Sequence, residues 1–154
     1  MTLIVETGSI IASANTYISA ADFTTYATAR GYTLVSGAET LLIQAMDYLE
    51  NLKYIGVKRT RDQALIWPRL DVYIDGYYQG SNTIPQQLIN GQCEIAMAID
   101  AGNGPLIDLP IATKREKVGP IEVEYATNAA ATIINRKIKN ALWKILATGG
   151  NGSN

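Results

Sequence analysis

The residues best suited to binding chemistry lie between positions 53 and 69. This segment holds five basic side chains and one acid, so its local charge is +4 in a chain whose formal net charge is −1. The basic residues are Lys53, Lys58, Arg59, Arg61 and Arg69. Such groups bind phosphates and carboxylates. Three interpretations fit the cluster: contact with a nucleic acid, contact with an acidic protein surface, or plain solvation.

Apolar residues interrupt the same segment. Leu65, Ile66 and Trp67 are too apolar for a solvated tail, and Pro68 restricts the residue before it to an extended backbone. We therefore interpret Leu65, Trp67 and Pro68 as an anchor that packs into the hydrophobic core. The anchor would fix a loop from which the basic side chains project.

Catalytic chemistry has little support. The chain has no histidine, which is the usual general base and the commonest metal ligand. Asp71 and Asp75 form the closest pair of acids in a predicted loop, where aspartates more often stabilise turns. Cys93 stands at helical spacing among apolar residues, as a small buried hydrophobe does. With no nucleophile elbow and no phosphate loop, the sequence predicts no enzyme, no metal site and no cofactor.

Composition predicts one globular domain. The chain has 154 residues, of which 47% are hydrophobic and 18% charged. Its apolar stretches are shorter than the ~20 residues that cross a bilayer. No basic residue precedes Arg30, as a secretory signal would require. We expect a single domain over 1–148, a flexible tail over 149–154, no membrane association and a cytosolic location where the chain is made.

Helical periodicity dominates the chain and predicts a mainly α fold, a small bundle of about four helices. Ser19 and Asp22 resemble a capping box at the first helix, and Gly31 would stop it. Pro85 suits the first position of the third helix, and Gly102 its end. Gly91 within that helix could allow another helix to approach closely. The predicted helices span 19–30, 39–53, 85–102 and 128–147.

The remaining segments are predicted to be extended or irregular. Residues 1–17 form an extended arm, and 54–83 form a long loop of the kind that is often functional or interfacial. That loop contains three tyrosines, Tyr73, Tyr77 and Tyr78. They suit an interface, although they could equally cover the hydrophobic core.

A β-hairpin is predicted over 111–126. Ile121, Val123 and Tyr125 alternate with glutamates, as in a strand with one wet face. An isolated hairpin is marginally stable, so this one must pack against helices or against another subunit. The last helix is basic on one side, which fits either nucleic-acid contact or simple solvation. Its basic residues are Arg136, Lys137, Lys139 and Lys144.

Several short motifs resemble a known family over roughly residues 5–126. In chain order they are Ala14–Ser19 before a helix, Ala45–Leu49, Leu65–Arg69, Ile84–Pro85 with Cys93–Glu94, and Lys114–Tyr125. Their order and spacing resemble the head-to-tail adaptor or head-completion (connector) proteins of tailed phages. Some of these carry the label "DnaT-like single-stranded DNA-binding protein".

The resemblance implies a structural role without catalysis. Such adaptors form a ring of about twelve copies that docks on the portal after DNA packaging, in the neck of the virion. The ring receives the next neck or tail protein, and double-stranded DNA passes through its channel without sequence-specific binding. Lys58, Arg59, Arg61 and Arg69 would then contact a partner or the DNA channel. The expected portal or subunit contacts are Tyr73, Tyr77, Tyr78, Ile121, Val123, Tyr125, Arg136, Lys137, Lys139 and Lys144.

A second function fits the same residues. Single-stranded nucleic acid is bound by a basic groove together with aromatic stacking platforms. Tyr54, Trp67, Tyr73, Tyr77 and Tyr78 could provide those platforms. The acidic pI of about 5.4 and the expected burial of Trp67 argue against it.

Overall fold

A computed structural model of the chain describes residues 2–102, 116–118, 121–123 and 129–147, with side chains described for 2–102 and 136–147. Four helices dominate these residues, which confirms the mainly α bundle. The helices are α1 (Ala20–Ala29), α2 (Ala38–Leu49), α3 (Gln86–Asp100) and α4 (Ala129–Leu142).

The capping box predicted for α1 is present. The Ser19 side chain accepts a hydrogen bond from the Asp22 backbone N–H at 3.1 Å, which satisfies one free donor of the first turn. Phe23 and Ala27 then face the core and are fully buried. Gly31, at φ +71°, follows the helix in a left-handed conformation that suits glycine.

Helix α2 ends earlier than its periodicity predicts. It stops at Leu49 rather than Lys53, because the Asn51 and Leu52 N–H groups bond three residues back, to Tyr48 and Leu49. This tighter turn brings the chain into the loop that carries the basic cluster. The buried stripe of α2 is Leu41, Leu42, Ala45, Met46 and Leu49.

Helices α3 and α4 pack antiparallel and very closely. A Cβ added to Gly91 would lie 2.3 Å from Leu142 Cδ2, so only glycine fits at this crossing. Nearer the other end of α3, Ala98 and Ile138 line one shared pocket. Pro85 is the N-cap of α3 rather than its first residue, and Gly102 follows its end at φ +80°.

Helix α4 ends at Leu142, before the predicted limit of 147. The chain turns there, and its last described residues pair with the segment that follows α2. Ile55 N–H donates to Ile145 at 3.0 Å, and Ala147 N–H donates to Lys53 at 2.9 Å. These backbone bonds replace the helical ones. The predicted first residue of this helix, 128, lies outside the described residues.

Three antiparallel two-stranded sheets complete the described part. They are β1 (Val57–Lys58) with β2 (Arg69–Leu70), β3 (Val72–Ile74) with β4 (Tyr77–Gln79), and β5 (Glu116–Val118) with β6 (Ile121–Val123). The last pair is the hairpin predicted over 111–126. The first two pairs lie within 54–83, so that segment is more ordered than a plain loop.

The N-terminal segment is extended but folds back on itself. Glu6 N–H donates to Thr16 at 2.8 Å, and Asn15 N–H donates to Ile4 at 2.9 Å. The Glu6 carboxylate, only 2% exposed, accepts hydrogen bonds from the N–H groups of Gly8, Ile10 and Ile11. The arm is thus held by its own contacts as well as by the core.

Candidate binding surface

The basic loop is anchored by a buried tryptophan. Trp67 is 1% exposed and Leu65 is 7% exposed. The Tyr54 ring meets the Trp67 ring edge to face, with centroids 5.7 Å apart. The Trp67–Pro68 peptide bond is cis. Trp67 therefore lies where a core anchor would be and has no free face on which a base could stack.

A buried polar network ties this anchor to α2. The Glu50 carboxylate accepts hydrogen bonds from Tyr17 Oη–H and from the Ile66 N–H, each at 2.8 Å. The backbone N–H of Trp67 in turn donates to Tyr17 Oη at 3.3 Å. Burial raises the pKa of both Glu50 and Tyr17. The network positions the loop, and Glu50 also lines a surface pocket of about 310 Å³ together with Ala14, Met46 and Leu65.

Two members of the basic cluster form hydrogen bonds to backbone carbonyls within the chain. The Arg69 guanidinium donates to the carbonyls of Ile55 at 2.8 Å and Gly56 at 2.7 Å, and burial lowers its pKa. Arg59 donates to the carbonyls of Gly8 at 3.2 Å and Ser81 at 3.3 Å. Arg69 is half-buried, whereas Arg59 remains exposed, and contact of either residue with a partner stays a prediction.

The other three members face solvent. Lys53, Lys58 and Arg61 are all exposed, and the Lys58 ammonium contacts the Gln63 carbonyl at 3.4 Å. Gln63 is 6% exposed, and its amide binds the Thr60 N–H and the Leu65 and Pro68 carbonyls. This buried glutamine therefore holds the loop together. Since Arg59 is exposed as well, four of the five cations lie at the surface and Arg69 is half-buried.

A surface rich in exposed aromatic side chains forms beside the loop. We call it the aromatic face, and it consists of Tyr73, Tyr77, Tyr78 and Trp143, which are 59%, 77%, 55% and 59% exposed. Tyr73 and Tyr78 are cross-strand partners whose ring centroids lie 5.6 Å apart. Val72 and Ile74 point inward from the same hairpin. The tyrosines thus stand on a small scaffold fixed to the core.

Lys144 joins the two parts of the aromatic face. Its ammonium binds the Asp75 carboxylate at 2.6 Å and lies 5.6 Å from the centre of the Trp143 ring. Trp143 was not among the predicted site residues. Trp143 stands beside, and not among, the regularly spaced apolar residues Ile138, Leu142 and Ile145 that are buried. A large aromatic residue off the buried side of a helix is the sequence signal that could have identified it.

The aromatic face is acidic, whereas α4 is basic. The hairpin from 71 to 79 contains Asp71 and Asp75 and no basic residue. On α4, Arg136, Lys137 and Lys139 are all exposed. The chain therefore presents an acidic aromatic surface and a separate basic helix. The predicted contacts Ile121 and Val123 lie on β6, where only the backbone is described, and Tyr125 lies outside the described residues.

An apolar groove opens between α2 and α4. We call it the α2–α4 groove, and its cavity volume is about 270 Å³. Its lining residues are Tyr48, Leu52, Ile138, Lys139, Leu142 and Leu146. Lys139 is exposed, so this apolar groove carries a positive charge at its edge.

Catalytic groups do not converge in the described ranges. No group of three or more His, Cys, Asp or Glu side chains that could hold a metal occurs in them. Cys93 is fully buried, and burial raises the pKa of its thiol to about 12, which leaves it protonated and unreactive. None of the helices described is long and apolar enough to cross a membrane.

Comparison with known proteins gives one match. The model of a family described as "Putative DnaT-like ssDNA binding protein" matches residues 1–154. No curated protein matches the chain, and no solved structure matches it.

Proposed function

The chain belongs to this DnaT-like family, and we propose that it is a structural subunit of the neck of a tailed phage. In this role it is a head-to-tail adaptor: copies form a ring that docks on the portal, receives the next neck or tail protein and helps to retain packaged DNA. The proposal rests on the motif resemblance described above and on the character of the exposed surface.

The aromatic face is the observation that carries the proposal. Four large aromatic side chains, each more than half exposed, are held on a hairpin and a helix end by the Lys144–Asp75 pair. Exposed aromatic clusters are characteristic of protein interfaces, where tyrosine and tryptophan supply much of the contact energy. A protein partner is therefore the best-supported occupant of this face.

The distribution of charge supports a ring. In a head-to-tail ring every subunit uses two different patches, which must complement each other. An acidic aromatic surface and a basic helix on one chain meet that requirement. Within the described ranges, the β5–β6 hairpin has no third strand on either edge, where a neighbouring chain could pair.

Portal binding tests the proposal. The purified protein is mixed with portal rings encoded by the same phage, and the mixture is sedimented. We expect it to sediment with the portal, and a variant with Tyr73, Tyr77 and Tyr78 all changed to serine to remain largely in the supernatant. If the unchanged protein never sediments with the portal, the adaptor function is wrong.

Binding of single-stranded nucleic acid is the alternative, favoured by the family description and by the exposed aromatic rings. Against it, the aromatic residues stand among acids, and two cluster arginines are occupied by backbone carbonyls. Fluorescence anisotropy with an oligonucleotide at increasing salt separates the two functions. Phosphate contacts predict a steep loss of affinity with salt. Tight, salt-sensitive binding that Lys58→Ala and Arg61→Ala weaken would establish the alternative.

A further inference from the structure

We infer that the tip of the β3–β4 hairpin of one copy, Asp75 with Tyr77, docks into the α2–α4 groove of a second copy. This inference rests on the proposed ring and specifies which surfaces join neighbouring subunits. The occupant is a second copy because the hairpin tip and the groove complement each other in shape and charge.

The tip is a rigid projecting element. Asp75 and Gly76 connect the strands with φ values of +53° and +83°, the left-handed pair of a tight two-residue hairpin turn. Ile74 on one strand is 6% exposed, whereas its partner Tyr77 on the other is 77% exposed. As cross-strand partners these two side chains share one face of the hairpin, where Ile74 packs into the core and Tyr77 reaches solvent. Little conformational entropy is lost when such a side chain binds.

The groove suits a tyrosine ring. Ile138 and Leu142 form a floor that is nearly fully buried, and Tyr48, Leu52 and Leu146 form half-buried walls. A cavity of about 270 Å³ with these walls admits one aromatic side chain. Burying the Tyr77 ring there removes apolar surface of both partners from water.

Charge complementarity fixes the direction of docking. Asp75 is two residues from Tyr77, so its carboxylate would reach the groove edge where Lys139 stands. Arg136, about one turn before Lys139, extends the positive surface, and Asp71 extends the negative one. Within one copy, Lys144 pairs with Oδ2 of Asp75, but the Asp75 side chain stays 59% exposed, so docking would add Lys139 as a second cation.

The contact is small, which predicts weak pairing of isolated copies. One tyrosine and its surroundings bury far less than the roughly 1,200 Å² of a stable standard interface. Covalent trapping is therefore the suitable test. A chain with Tyr78→Cys, which keeps the docking Tyr77 ring, is mixed with a chain of different mass that carries Leu52→Cys, and the pair is oxidised mildly. The native Cys93 is fully buried and stays out of the reaction.

We expect a disulfide-linked pair of unlike chains, at a yield about tenfold above that of Tyr78→Cys mixed with Val35→Cys, a factor that corresponds to about 1.4 kcal/mol. Val35 is 87% exposed and lies outside the groove, so it is the matched control. Equal yields from the two mixtures would overturn the assignment.

Charge reversal provides the second arm. Adding Asp75→Lys to the Tyr78→Cys chain should lower the yield, and adding Lys139→Glu to the Leu52→Cys chain should restore it. Lys144→Ala, which breaks the internal pair but leaves the tip negative, should keep the yield. If charge reversal changes nothing while the protein still sediments with portal rings, the docking inference fails and the adaptor function stands. If portal sedimentation is also absent, the proposed function fails as well.

Discussion

At the scale of single residues, side chains of one type have different roles. Arg69 and Arg61 belong to the same basic cluster, but Arg69 binds carbonyls at the start of the loop, whereas Arg61 faces solvent. Composition reveals the cluster, and only the fold reveals which members remain available. The sequence therefore predicts the cluster, and the fold shows that four of its five cations are exposed while Arg69 is half-buried.

Changing Trp67 to alanine should strongly destabilise the fold. Loss of a large buried aromatic costs about 3 to 5 kcal/mol in unfolding free energy, measurable by urea denaturation. Trp67→Phe is the control. The indole N–H has no hydrogen-bond partner among the described residues, so this change keeps most of the packing and loses no bond seen there. A negligible loss in the alanine variant would show that the anchor assignment is wrong.

Changing Arg69 to alanine should lower the unfolding free energy by about 1.5 to 3 kcal/mol, because hydrogen bonds from its guanidinium to buried carbonyls are lost. Arg61→Ala removes the same charge from an exposed position and is the matched control, expected within about 0.5 kcal/mol of the unchanged protein. Equal destabilisation of the two variants, in the same urea assay, would contradict the assigned role of Arg69.

Asp100 should give the stability a defined dependence on pH. Burial would raise the pKa of its carboxyl, but hydrogen bonds from the Val35 and Ser36 N–H groups and Tyr32 Oη–H outweigh burial and lower it. A carboxyl with a lowered folded-state pKa stabilises the fold above its unfolded value of about 3.9, and the effect is lost as pH falls through the folded pKa.

The corresponding variant is Asp100→Asn. We expect it to be less stable than the unchanged protein at neutral pH, with the difference shrinking once the pH falls below about 4. Urea midpoints at a series of pH values measure this difference. A gap that stays constant down to the lowest pH would contradict the role given to the carboxylate.

At the scale of elements, the closest packing in the described fold is the contact of α3 with α4 at Gly91. An added methyl group there would lie 2.3 Å from Leu142 Cδ2, so Gly91→Ala should cost about 1 to 3 kcal/mol through overpacking. Gly37→Ala is the control, because its added Cβ meets nothing closer than Thr40 Oγ1 at 4.0 Å. Thermal unfolding of the two variants measures the contrast, and similar melting temperatures would contradict it.

The elements also show what local pattern can and cannot predict. Helix starts were predicted well because Ser19 and Pro85 act through neighbouring residues. Helix ends were predicted less well. The ends of α2 and α4 depend on backbone pairing between Tyr54 and Leu146, which are far apart in the sequence. The same reason explains why Trp143 was missed: only the fold places it beside Lys144 and, through Lys144, near the hairpin.

At the scale of the whole molecule, the chain combines an apolar helical core with unlike surfaces. The acidic aromatic face and the basic side of α4 are separate in sequence, and the fold brings both to the exterior. Neither surface holds a cluster of catalytic groups in the part of the chain that the structure describes. Surfaces of this kind suit assembly into a larger object, which is the basis of the adaptor proposal.

Electron microscopy of purified virions tests that proposal most directly. Necks are imaged from the phage that encodes this chain, and the protein is located by averaging particles or by labelling an added tag. We predict a ring of copies seated between the portal and the tail, with DNA ending in its channel. Absence of the protein from the neck of intact virions would contradict the account.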